Sequence, residues 1–160
     1  MSLETRLIHD PVDEMLGVVN EMHPDLNLKI RFYREEDVDR YGLGWAYRSK
    51  STGRWTVLVN TFSYYHDVPP RIAHEVAHVL APGYHHNTVW ESKYRELWDT
   101  FCEAQKLAYG ELPEGIGLCL YSPSDIDENV QAGREGDVEC RAETEGYSSD
   151  ALKELVDRLR

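Results

Sequence analysis

The stretch "RIAHEVAHVLAPGYHHNTVW", Arg71 to Trp90, constrains the fold more than any other part of the chain. Pro69-Pro70 lies just before it and Pro82-Gly83 interrupts it, so it reads as a short helix, a turn and the start of a second helix. On the first helix His74 and His78 are at i and i+4, one turn apart on the same face. Ile72, Val76, Val79 and Leu80 form a separate apolar stripe, so one face is to be buried and another looks into a cleft. Two imidazoles so placed can share one metal ion, with zinc–nitrogen bonds of ~2.0–2.1 Å. Glu75 sits beside the pair, where its carboxylate can take a proton from a water the metal activates. The rival reading makes His74 and His78 metal-free surface residues. The dividing faces and the further histidines downstream favour the metal.

A catalytic zinc takes three protein ligands and keeps a position open for water. After the Pro-Gly turn the chain offers His85 and His86, and on the next helix Glu96, whose neighbours Leu97 and Trp98 read as core. A donor to a developing oxyanion would come from Tyr84, Tyr64, Tyr65 or His66, all close by in sequence. His66 reads otherwise as a capping or surface histidine, as His9 and His23 do as surface ones.

Around this segment the chain reads as an α+β domain with a small sheet of about three strands. Met15, Leu16, Val19 and Met22 recur at helical spacing over 11–22, with Pro11 suited to a first turn. Residues 26–33 alternate Leu26, Leu28, Ile30 and Phe32 as a strand; 43–49 and 54–60 are further strands, joined by the turn "KSTG". The strand at 54–60 is expected to lie over the metal helix and to pair with an extended substrate. Asp67 is the expected cap of that helix. A helix over 87–109 carries Trp90, Tyr94, Leu97, Trp98, Phe101, Ala104 and Ala108 as a core stripe. Residues 111–147 lack periodicity, and 124–146 hold eight acids against two arginines, which reads as a solvated loop. Residues 148–160 read as a capped amphipathic helix with Leu152, Leu155, Val156 and Leu159 on one face. The whole, 1–160, is expected to form one domain with its core over about 10–110.

A formal charge of −12 argues against nucleic acid as a partner, since phosphate contacts need clustered Lys and Arg. No apolar run approaches the ~18 residues of a membrane span, and "MSLETRLIHDPVDE" has no signal-like apolar core. Cys102, Cys119 and Cys140 are odd in number and widely spaced, which points to a reducing, cytoplasmic setting.

HExxH followed by "HNTVW", His86 to Trp90, resembles the SprT-like zincin domains, where a loop leads to a His-Gly-x-x-aromatic motif opening the next helix. "GRWTVLVNTFSYY" (53–65) is similar to the hydrophobic-Asn strand of those domains, and the likeness covers roughly 10–110. It implies a zinc metallopeptidase acting on peptide or protein, with Glu75 as base and His74, His78 and His86 as ligands. His85 is then a neighbour of the site. Asn87 stands where the family has glycine, the loop before His86 is short, and the zinc ribbon of many relatives is missing. That last departure and the acidic charge speak against a DNA-dependent role. The position of the third ligand in glutamate-type zincins holds Leu97 or Trp98 here. A metzincin would need glycine and histidine at Ala81 and Tyr84, and a methionine beyond Met22. Two further readings remain: an interaction protein that uses its acidic tract on a zincin scaffold, and a zinc hydrolase of small amides or cell-wall peptides.

Overall fold

The computed structural model describes residues 10–62, 67–82, 86–109 and 150–160, apart from the side chains of 106–109. Helix α1, Pro11–Met22, starts where Asp10 Oδ1 accepts the Val12 N–H at 2.8 Å and Pro11 supplies a ready-made first turn. Met15, Val18 and Val19 on its inner face are buried. There follow β1 (Leu28–Tyr33), α2 (Val38–Tyr41), β2 (Gly44–Arg48), β3 (Trp55–Asn60), α3 (Val68–Leu80), α4 (Thr88–Tyr109) and α5 (Asp150–Arg158). The architecture is α+β, with a three-stranded mixed sheet.

Strand order is β1-β3-β2. β1 runs parallel to β3, from Leu28 opposite Trp55 to Tyr33 opposite Asn60. β2 runs antiparallel to β3, from Gly44 opposite Val59 to Arg48 opposite Trp55. The "KSTG" turn closes this hairpin: Ser49 N–H donates to Arg54 O at 2.9 Å, Gly53 N–H donates to Ser49 O at 2.8 Å, and Gly53 takes φ 68°. One expectation fails here. The strand at 54–60 is central, so both its edges are already paired and it has none to offer a substrate. Phe32, expected on the buried side, is 38% exposed near the end of an edge strand.

Side-chain alternation along β3 divides the core. Val57 and Val59 point to the face packed by α1, α3 and α4, with Ile72, Val76, Leu97 and Phe101. Leu58 points to the other face, where it meets Tyr33, Tyr41, Trp45 and, from α5, Leu152, Leu155 and Val156. The C-terminal helix therefore closes the back of the sheet, as its apolar stripe required. Ion pairs along it, Arg158 with Glu35 and Glu154 with Arg40 at 3.0 Å, add little beside that burial. No described helix is long and apolar enough to cross a membrane. The acidic tract lies outside the described residues.

Candidate metal centre

Helix α3 begins after Asp67, which occupies the cap position without a side-chain cap bond; its carboxylate instead lies 3.9 Å from Arg71 Nη2. Arg71 Nη1 donates to the carbonyls of Asn60 and Phe62, both at 2.8 Å, and so ties the first turn of α3 to the end of β3. Burial of Ile72, Ala73, Val76 and Ala77 against the sheet then fixes the helix rotation. With that face turned inward, His74 and His78 point together toward α4.

His86 completes the group from the turn before α4. Its backbone takes φ 42°, the left-handed region, which costs a residue with a Cβ about 1–2 kcal/mol. Asn87 follows as the N-cap: its Oδ1 accepts the N–H of Val89 at 3.0 Å and of Trp90 at 3.2 Å. An asparagine at this position thus has a local role, since it opens a helix better than most residues. Chain reversal at a left-handed residue, followed at once by a capped helix, aims His86 back at α3.

The three Nε2 atoms converge. His74 and His78 are 3.4 Å apart, His78 and His86 3.1 Å, and His74 and His86 3.0 Å. A tetrahedral ion with zinc–nitrogen bonds of ~2.0–2.1 Å separates its ligands by about 3.3–3.4 Å. The observed triangle is close to that size, and all its corners are imidazole nitrogens, donors that suit zinc, copper, iron and nickel. Among the described residues, these three histidines are the group arranged to share a metal ion. His78 is wholly buried and His86 nearly so, while His74 keeps a little open surface. Burial, then the charge of His86, pulls the pKa of His74 from 6.5 down to about 3, which keeps it neutral and able to ligate at ordinary pH.

Trp90 forms a wall behind the group. Its ring centre lies 4.8 Å from His74, 5.4 Å from His78 and 4.5 Å from His86, and Tyr94 stacks on it at 5.3 Å. Trp90 was expected as core, and it is; its contact with every imidazole was not evident from a helical stripe. This enclosure takes His78 and His86 off the surface, while His74 stays partly exposed.

Glu75 is only 2% exposed, and its side chain lies against Gly44 of β2. Glu96 does not join the site: it is on the solvent side of α4, 3.5 Å from Lys93, because Tyr94, Leu97 and Trp98 hold the inward face. Tyr64, Tyr65, His66, Tyr84 and His85 lie outside the described residues. The contributions missed in the sequence are Asn87 as cap and Gly44 as neighbour of Glu75. The first carries the N-cap signal of an asparagine before a helix; the second depends on which strand crosses α3.

Compared with known proteins, the chain matches no family model, no curated protein and no solved structure.

Proposed function

We propose that this protein is a zinc-dependent metallopeptidase of the SprT-like zincin kind, with His74, His78 and His86 as ligands and Glu75 as general base. The observation that carries the reading is the convergence of three Nε2 atoms within 3.0–3.4 Å, with a buried carboxylate next to the first of them on the same helix. Imidazole also suits copper, iron and nickel, but three protein nitrogens with one position left for water is the set of a catalytic zinc. Zinc held there would supply Lewis acidity, making a water nucleophilic at neutral pH and polarising the scissile carbonyl.

The chain's own residues do the rest. Glu75 accepts the proton of the attacking water and hands it to the leaving amine. Trp90 and Tyr94 close the rear of the site and keep bulk water from it. Substrate pairing passes from β3 to β2, which has a neighbour on one side only among the described residues. Leu43 O accepts from Asn60 N and Ser49 N donates to Arg54 O, so alternation turns the amides of Gly44, Ala46 and Arg48 to the open edge. An extended peptide added there runs past Gly44, the residue that touches Glu75. A scaffold that only binds a partner has no use for a carboxylate buried beside its ligands. A peptide or protein substrate and a cytoplasmic setting belong to the same reading.

The test uses the purified chain. Bound zinc is measured, and hydrolysis of a denatured protein is followed with and without chelator, alongside Glu75→Gln. The expected result is about one zinc per chain, activity lost to chelator, and a loss on the order of 10²–10⁴-fold in Glu75→Gln with zinc retained. Zinc near zero in both proteins would sink the metal reading; full activity in Glu75→Gln would remove Glu75 as the base.

A further inference from the structure

Four described glycines fall into two kinds. Gly42 and Gly53 both have φ 68°, a backbone that favours glycine, and a Cβ at either would meet nothing nearer than 3.5 Å and 3.6 Å respectively. Gly17 has open space around it. Gly44 is different: its φ lies outside the left-handed region, yet a Cβ there would sit 2.5 Å from Glu75 Oε1, 2.7 Å from its Cγ and 2.8 Å from its Cδ. The glycine is demanded by space, and the three nearest atoms all belong to one side chain.

Neither backbone can easily retreat. Immediately upstream of Gly44, Leu43 O accepts from Asn60 N at 2.9 Å, and Gly42 O accepts from Asn60 Nδ2 and from Tyr33 Oη, both at 3.0 Å. Just downstream, Trp45 is wholly buried and its Nε1 donates to Tyr41 O at 2.7 Å. On the other side, α3 is fixed by Ile72, Ala73 and Val76 in the core and by Arg71 on the end of β3. What can move is the Glu75 side chain.

We propose that Gly44 is a positioning residue for Glu75: the missing side chain at this point of β2 is the seat that holds the carboxylate beside the histidine triad. The proposal rests on the reading of Glu75 as base. A methyl group at position 44 meets Glu75 first, pushes its carboxylate out of place, and is expected to leave the ligand set His74, His78 and His86 intact. Among the described residues β2 has one strand neighbour, as β1 does, and it is β2 that meets Glu75, so a peptide added to its edge would run past the residue that seats the base.

The experiment compares wild type, Gly44→Ala, Glu75→Gln, Glu75→Ala and Gly44→Ala/Glu75→Ala. Gly44→Ala is expected to keep its zinc and a near-wild-type KM while kcat falls on the order of 10²-fold, the scale of a misplaced catalytic group. Melting temperature supplies a readout apart from activity. Gly44→Ala should lower it when Glu75 is present and leave it level or raise it in the Glu75→Ala background, where the methyl group has room. Equal shifts in the two backgrounds would overturn the proposal. So would loss of zinc in Gly44→Ala, or an unchanged kcat in Gly44→Ala alongside an inactive Glu75→Gln. If wild type itself shows no zinc-dependent hydrolysis, the peptidase reading fails, and the melting cycle still decides whether Gly44 seats Glu75.

Discussion

His74 and His78 arrive at the candidate metal centre by a different route from His86. The first two ride on a regular helix whose rotation is set by apolar burial, so aligning them costs the backbone nothing. His86 stands on a turn, at φ 42°, and is aimed by the Asn87 cap that follows it. Helical periodicity thus supplies two donors without strain, and the third is obtained by holding one residue in a sparsely populated backbone region. Strain of this kind gathers at functional sites, where surrounding structure keeps a residue in a conformation it would otherwise leave.

Removing the metal tests whether the two routes meet at one ion. Chelator should lower the melting temperature of wild type by the equivalent of about 4 kcal/mol when free zinc stands ~1,000-fold above its Kd. The same addition should leave His78→Ala and His86→Ala unmoved. If His86→Ala still responds as wild type does, the turn contributes no ligand and the comparison breaks.

In metal-free protein the two routes should part. His78 is wholly buried in α3, and truncation to alanine there is expected to cost about 2–4 kcal/mol in urea unfolding. His86 is nearly as buried, so His86→Ala and His86→Gly both lose packing against Trp90, and metal binding is lost in both. The glycine variant should be the more stable of the two by about 1 kcal/mol, since it relieves the left-handed backbone. Equal stability of His86→Gly and His86→Ala would show that the turn carries no strain. The smallest effect is expected at the cap. Asn87→Ala should cost ~1 kcal/mol of stability and weaken zinc binding by up to about tenfold, both read from one zinc titration monitored by melting.

Legibility followed the range of the interactions. The His74–Glu75–His78 spacing, the hairpin and the stripe of α4 were readable because each depends on neighbours a few residues away. Four-residue α2 is too short for a period to show. The choice of His86 over His85 came from resemblance to a family motif, since either could follow a Pro-Gly turn. The central place of β3 was not readable at all: it is set by parallel pairing with β1, a contact between distant parts of the chain. Gly44 was lost for the same reason, as a glycine in a strand says nothing about Glu75 until the sheet order brings β2 across α3. Asn87 was legible as a cap and was read only as a departure from glycine.

The wall behind the histidines has an optical consequence. Trp90 is one of four tryptophans, and its indole is within about van der Waals reach of each imidazole. An open-shell ion such as cobalt or copper seated between those rings would drain the excited indole by energy or electron transfer. A closed-shell ion would leave it emitting. Trp90 emission would thus report which kind of ion enters the candidate site.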